Sequence, residues 1–419
     1  MTKNKFLTCI RLTFLIGMLL GLLSLTGCWS ADEINDLATI DVIGIDENDA
    51  GKVEVTAIIT RPQTLFPDTA VEGKGQNKIL AETTTGDSIL EALGKISGSV
   101  PERIYFGHTS LIVFGEQAAR ESMLASLDFL KREDDFRPNI QLLVTRGAAK
   151  QIVKTIPQFN ISLGLELNDL LTSNRYAATG MVKDVSQFME ALSSEAADPY
   201  TGVLHSAKEH GIDADNQEQT THKQSKGNRQ NQRQNVPKAI SLEGAAAFKG
   251  GQLKGILNEQ ETRGLMAMEG DLQNQVFVLN CGKNQGNATV TVTNSNSKLS
   301  PSIADNTPKM AIDIQIEGDI GQLTCFDVNI NSQQMERFNQ QLEDLVRRDV
   351  FNVLDKVKNR WQTDIFGFGQ AFYRKHPGDW KQMAPQWRNG LLKKMGIDVT
   401  VSTNISRYGE MKDPAKPDK

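Results

Sequence analysis

Polar and hydrophobic positions alternate by two along several stretches of the chain and by three or four along others. In KVEVTAIIT (52–60), Val53, Val55, Ala57 and Ile59 alternate, which predicts a strand with one buried face. TIDVIGID (39–46) precedes it across ENDAG, so the pair reads as strand, turn, strand. Asp87 is placed to cap a helix that puts Ile89, Leu93 and Ile96 on one side. RIYFGHTSLIVFG (103–115) reads as one strand or as two short strands with a break. Residues 116–131 form a predicted helix with Met123, Leu124, Leu127 and Leu130 at helical spacing, and NIQLLVT (139–145) a strand. Further helices are expected over 147–155, 163–172 and 183–194.

Patterning resumes at Ala239. AISLEGAAAFK, GGQ and LKGIL (239–257) read as a hairpin turned on glycine, followed by a short helix over 259–268. QVFVLNC (275–281), ATVTVTN (288–294) and KMAIDIQIEGD (309–319) are strand patterns. Met310, Ile312, Ile314 and Ile316 alternate strictly with polar residues, so one sheet face is solvated or covered only lightly. The clearest helix follows, with Phe338, Leu342, Leu345, Val346, Val350, Val353, Val357 and Trp361 recurring every three or four residues, and Ser332 as candidate N-cap. GIDVTVSTNI (396–405) is a closing strand. Sheet-forming runs and helices without regular βαβ alternation argue for an α+β, multi-domain architecture of mixed or antiparallel sheets with packed helices.

Between the two patterned regions, residues 206–238 are rich in Gln, Asn, Lys and Gly and almost without apolar side chains. Such a segment cannot offset its own ordering entropy and is expected to be a flexible linker or exposed loop. Its cations Lys223, Lys226, Arg229 and Arg233 are mixed with acids and amides, without aromatics, which reads as a solvated tether. The expected organisation is a signal segment (1–27), an N-terminal α+β region (28–205), the polar linker (206–238), a C-terminal α+β domain (239–410) and a disordered tail (411–419).

The N-terminus changes the picture of where the protein resides. Lys3, Lys5 and Arg11 precede an uncharged apolar run over 12–25, LTFLIGMLLGLLSL, with no acid before Asp32. That is the pattern of an export signal, and the run is short for a membrane span, which needs about 20 residues. Leu25-Thr26-Gly27-Cys28 then looks like a bacterial lipobox: the Cys28 thiol can take a diacylglyceryl group, and the small Gly27 lets a peptidase cut between Gly27 and Cys28. Cys28 is thus the candidate lipidation residue, as an N-palmitoyl, S-diacylglycerol cysteine. Two or more acyl chains give a stable anchor where one gives reversible binding.

Cutting there removes three positive charges and no acid, so the net charge moves from −5 to −8. An acidic body disfavours nucleic acid as a partner and is repelled by anionic lipid, leaving attachment to the acyl chains and to integral partners. Of the cysteines, Cys281 and Cys325 remain in strand-like segments. The export route permits a disulfide between them. Two buried free cysteines acting as small hydrophobes is the other reading, and the residues lean towards it.

Chemistry is sparse. There is no GxxxxGK[ST], HExxH or GxSxG, and GFG at 367–369 does not complete a phosphate loop. Of the five histidines, His205, His210 and His222 sit at or inside the polar linker, while His108 and His376 lack ligand-spaced companions. Asp134 and Asp135 are adjacent in sequence and do not face one another. Arg103 in PERIYFGH and Arg137 in DDFRPN are carboxylate-pairing candidates. No nucleophile, base and oxyanion set can be assembled, so neither an enzyme nor a cofactor is expected.

Several segments in order carry a resemblance. They are GCWSADEINDLATIDVIGID (27–46), RIYFGHTSLIVFGEQAAR (103–120), DFLKREDDFRPNIQLLVTRGAAKQIV (128–153), AAAFKGGQLKGILNEQETRG (245–264) and DIFGFGQAFYRKHPGDWKQM (364–383), with VTVSTNISRYGE closing the chain. Together the chain resembles spore germination proteins of the Ger(x)C lipoprotein family, the C subunit of nutrient germinant receptors. Residues 206–238 are longer and more polar than that family leads one to expect. The resemblance implies an α+β body on the outer face of the spore's inner membrane, assembled with A and B membrane subunits, without catalytic residues. Arg103, Arg137 and Arg263, within those segments, are the candidate partner contacts, since arginine is enriched at interface hot spots. The alternative class is an extracytoplasmic solute-binding lipoprotein, which would want two lobes around an apolar cleft.

Overall fold

A computed structural model describes residues 14–15, 17–18, 37–60, 79–133, 136–155, 163–177, 180–206, 240–282, 286–305, 307–325 and 331–407. The lipobox with Gly27 and Cys28, the bulk of the polar segment and the tail from 411 lie outside the described residues.

The first unit is one mixed sheet. Strands β1 (Leu37–Glu47), β2 (Val53–Thr60), β3 (Ile79–Gly86), β5 (Leu111–Gly115), β6 (Gln141–Thr145), β8 (Tyr200–Ser206), β9 (Ile240–Lys249) and β10 (Gln252–Leu257) lie in the order β10-β9-β8-β6-β5-β1-β2-β3. Two short strands, β4 (Arg103–Tyr105) and β7 (Lys183–Asp184), hang on β1 and β6. The central pairs β1–β5, β5–β6 and β6–β8 are parallel, whereas both flanks are antiparallel. RIYFGHTSLIVFG is therefore two strands with a break.

Helices cover both sides of this sheet: α1 (Ile89–Ser99), α2 (Glu116–Glu121), α3 (Met123–Arg132) and α6 (Val185–Ser193) on one, α4 (Ala149–Val153) and α5 (Leu163–Ala177) on the other. This corrects the expectation for β2, which is buried on both faces. Val55, Ala57 and Ile59 join one core and Ile58 the other. Its buried threonines are satisfied: Thr60 Oγ1 donates to Asp41 at 2.7 Å, and Thr56 Oγ1 meets Thr83 Oγ1 at 3.0 Å.

The predicted helix over 116–131 is broken at Ser122, whose N–H bonds back to Ala118 and closes α2; Leu124, at the start of α3, stays exposed. The cap of α1 falls at Ser88 rather than Asp87. Ser88 Oγ accepts the Glu91 N–H at 3.2 Å, while the Glu91 carboxylate takes the Asp87 N–H at 2.8 Å.

The second unit is a four-stranded sheet, β11 (Val276–Asn280), β12 (Asn287–Ala304), β13 (Thr307–Leu323) and β14 (Gly396–Arg407), in that order. Met310, Ile312, Ile314 and Ile316 are buried and the residues between them exposed, as their alternation requires. α7 (Glu259–Glu269) and α8 (Ser332–Leu354) pack on the buried face, and α8 continues as a π-helical turn over Asp355–Trp361. The α8 cap is Asn331, not Ser332; its side chain accepts the Gln334 N–H at 2.9 Å. α9 (Phe368–Lys375), α10 (Pro377–Gln386) and the short α11 (Leu392–Lys394) lead into β14.

The polar segment, expected to be a linker or an exposed loop, lies between two strands of the first sheet. β9 pairs antiparallel with β8, with Ser206 opposite Ile240, so the polar segment joins neighbouring strands of one sheet. β9 and β10, which follow the segment, still belong to the first sheet. Because the two ends already stand side by side, replacing residues 207–239 by a four-residue Gly/Asn turn should leave the thermal midpoint unchanged or higher, since a shorter loop costs less to close. A drop of more than about 4 °C in a thermal scan, or roughly 1 kcal/mol or more at this size, would show that the segment contributes to folding.

Candidate functional site: the clasp and crevice between the two units

Around one buried residue, Asp364, hydrogen bonds tie the two units together. Gly367 begins α9 with φ +70° and has no side chain with which to cap the helix. Asp364, three residues earlier, supplies the cap: its carboxylate accepts the N–H of Phe368 at 2.9 Å and of Gly369 at 2.7 Å. It also accepts the Trp387 indole N–H at 2.8 Å. The backbone of Asp364 reaches the first unit, its N–H going to Asp198 Oδ2 and its carbonyl accepting the Asp198 N–H, both at 2.8 Å. Asp198 is in turn paired with Arg388 at 3.0 Å, and Arg388 donates to the carbonyls of Ser194, at 2.9 Å, and Ala197. Gly369 is required by close approach, because a Cβ there would stand 2.6 Å from the Trp380 ring and 2.7 Å from the Ala196 carbonyl.

Complete burial pushes the Asp364 carboxyl up from 3.8 to about 6, against the pull of its three donors. A carboxyl raised in the folded state stabilises most when protonated, so its contribution is complete below 3.8 and is lost as pH rises to about 6. The stability difference between the wild type and Asp364→Asn should therefore move in favour of Asn by on the order of 3 kcal/mol from pH 4 to pH 7. Denaturant titrations across that range check it, and a pH-independent difference contradicts it. Asp364→Ala, which strands three buried donors, should cost about 3–5 kcal/mol at pH 7.

Beside this clasp lies a crevice of about 610 Å3, walled by Phe188 and Tyr200 from the first unit and by Ile365 and Phe366 from the second. Lys183 and Glu269 stand in it, and the Lys183 ammonium lies 4.7 Å from the centre of the Tyr200 ring.

The sequence-derived candidates are dispersed. Arg103 is exposed at the start of β4 and Arg137 is exposed in the turn before β6, beside Phe136 and Pro138 at a small cavity. Arg263 is turned inward: it pairs with the buried Asp349 at 2.6 Å and stacks over Phe277, which makes it an intramolecular brace and removes it from the surface candidates. Cys281 and Cys325 form a disulfide with Cα atoms 6.0 Å apart, tying the end of β11 to the end of β13, so the two are not free core thiols.

His205 is buried and its Nε2 meets the Glu243 carbonyl at 3.0 Å; His376 Nε2 meets that of Pro301 at 3.3 Å; His108 is exposed beside Tyr105. Asp134, Asp135, His210 and His222 lie outside the described residues. Among the described residues no three His, Cys, Asp or Glu are grouped as metal ligands, and no helix is long and apolar enough to cross a membrane.

The geometry defines a two-unit α+β body whose best-organised polar groups hold the units together. Comparison with known proteins agrees with that class. Residues 30–206 match the family described as "Spore germination protein N-terminal domain", and residues 243–409 match "Spore germination B3/ GerAC like, C-terminal". Spore germination protein KC of Bacillus subtilis (strain 168) is 29% identical over 411 residues, 95% of this chain and 96% of that protein. Spore germination protein B3 of the same organism is 25% identical, over 93% of this chain and 96% of its own. The fold resembles the crystal structure of the GerBC protein with a TM-score of 0.52, at 19% identity, covering 87% of this chain and 96% of that one. The chain belongs to the spore germination GerAC-like family of C subunits.

Proposed function

We propose that this chain is a lipid-anchored, non-catalytic subunit of a spore nutrient germinant receptor, required for nutrient-triggered germination through assembly with membrane A and B subunits. The observation that carries the reading is the match of both family regions along the body that follows Leu25-Thr26-Gly27-Cys28. Relatives named as spore germination proteins cover almost the whole chain. Attachment rests on acyl chains at Cys28, on the outer face of the spore inner membrane, because the body is acidic and anionic lipid repels it. The solute-binding alternative requires a ligand-sized cleft between lobes, and the crevice of about 610 Å3 meets that requirement of size. It does not compete with assembly, since a receptor subunit can hold both.

Cys28→Ala should release the chain from membranes in cells lacking the A and B subunits, as read by fractionation and immunoblot. A mature-sized variant that stays in the membrane pellet would overturn the anchor. Arg137→Ala, at an exposed turn, should change the stability of the chain by no more than about 0.5 kcal/mol while lowering recovery of the membrane subunits in a pull-down. Loss of stability without loss of recovery would make Arg137 a structural residue only.

A further inference from the structure

The strand directions of the first sheet gather several chain ends at one pole. β1, β5, β6 and β8 run parallel, so their N-termini lie towards the same end. Arg103, at the head of β4, stands opposite Leu37, at the head of β1. The antiparallel flank brings its own ends to this place, since Thr60 pairs with Thr39 and Ile79 with Thr60. α1 follows β3 from the far pole and returns, ending at Ser99 shortly before β4. The turn before β6 joins the pole from the other side. There the Phe136 ring lies 5.2 Å from that of Phe106, in the turn between β4 and β5. Arg103 and Arg137, well apart in sequence, are thus exposed at the same end of the sheet. The opposite pole is the turn between β1 and β2, closed by the Gly51 N–H on the Asn48 carbonyl, with Ala50 exposed.

Chain length decides which pole sits near a membrane. Leu37 follows Cys28 by nine residues. Nine residues reach about 30 Å at most. The ten steps of β1 from Leu37 to Glu47 rise about 33 Å. The β1–β2 turn therefore stands farther from Leu37 than the tether can reach. Bringing that turn down to the bilayer would require the tether to be drawn to its full length along the flank of the body, at a cost in conformational entropy. Charge adds little to the choice. Arg103, Lys131 and Arg137 stand among Glu102 and Glu133, and Asp134 and Asp135 adjoin them in sequence. The tether itself is what orients the body.

From the strand directions and the length of the tether we infer that the pole carrying Arg103, Arg137 and the end of α1 faces the lipid headgroups, with the β1–β2 turn pointing away. The inference rests on the Cys28 anchor of the proposed function and adds which surface meets the bilayer. It also ranks the surfaces open to membrane partners. A partner that rises only a short way above the headgroups meets Arg103 and Arg137 and does not meet the β1–β2 turn.

The test uses the full lipidated chain, purified in detergent and reconstituted into phosphatidylcholine vesicles that carry an acceptor dye on a fraction of their headgroups. A donor dye is attached to Gly98→Cys, near the end of α1, or to Ala50→Cys, at the far turn. Both positions are exposed, and a Cβ at Gly98 meets nothing within 4 Å. The new thiol is the one to react, because Cys281 and Cys325 are bonded to each other, Cys28 is acylated and Cys9 leaves with the signal segment. The donor at position 98 should lose a larger share of its fluorescence to the acceptor than the donor at position 50. Insertion of about 40 Gly/Ser residues between Cys28 and Leu37, with a root-mean-square span of roughly 35 Å, should remove the difference. Gly94→Cys, one turn earlier on α1 and also open, repeats the measurement where Gly98→Cys does not fold. Equal losses, or a larger loss at position 50, in chains that float with the vesicles would overturn the orientation and leave the anchor standing. Chains that do not float would overturn both. A difference that survives the insertion would overturn the tether as its cause.

Discussion

Asp364 is the buried residue around which the polar contacts between the two sheets are organised. One side chain, without solvent contact, caps α9, holds the Trp387 indole and fixes the stretch of backbone that pairs with Asp198 in the other unit. Each contact alone is an ordinary hydrogen bond with a net value of about 1 kcal/mol. Their effect is larger together because they are interlocked. If the carboxylate is lost, the first turn of α9, the indole and their neighbours all lose partners in a place that water does not reach. Asp198 and Arg388 extend the same network to the carbonyls of Ser194 and Ala197, so the turn before β8 is held from the second unit.

Around this clasp the other fixed points are local. The Cys281–Cys325 disulfide closes the end of the four-stranded sheet, and Arg263 braces α7 to α8 through Asp349. Polar bonds also guard the free edge of β14: Thr403 N–H donates to Glu343 and Ile405 N–H to Asn339, both on α8, which blunts an edge that would otherwise present open backbone groups. These features describe a body whose polar interior fixes the arrangement of parts. That suits a subunit whose proposed work is to present surfaces to membrane partners.

Much of the fold was legible where hydrophobic spacing is simple. The strict alternation of Met310 to Ile316 marked a strand with one wet face, and the stripe from Phe338 to Val357 marked α8. The hairpin at GGQ was legible because Gly250 and Gly251 supply the positive φ values, +58° and +80°, that its turn requires. The second buried face of β2 was not, since Thr56 and Thr60 look polar until their partners Thr83 and Asp41 are placed beside them. The far half of β12, through NSNSKLSPSIA, also hid, because a strand with most of its side chains in or near solvent needs few hydrophobic residues.

The clasp was least visible of all. Asp364 sits 166 positions from Asp198 and 23 from Trp387, distances over which no spacing rule operates. GFG at 367–369 was set aside as an incomplete phosphate loop, yet its glycines matter for another reason, one entering α9 with positive φ and the other lying against Trp380. The proposed work of this body is assembly. Quantitative purification of the tagged wild-type chain from detergent-solubilised spore membranes, before any nutrient is added, tests it most directly. The A and B membrane subunits should be recovered with it in a fixed ratio. Recovery of the chain alone from spores that germinate normally would contradict it.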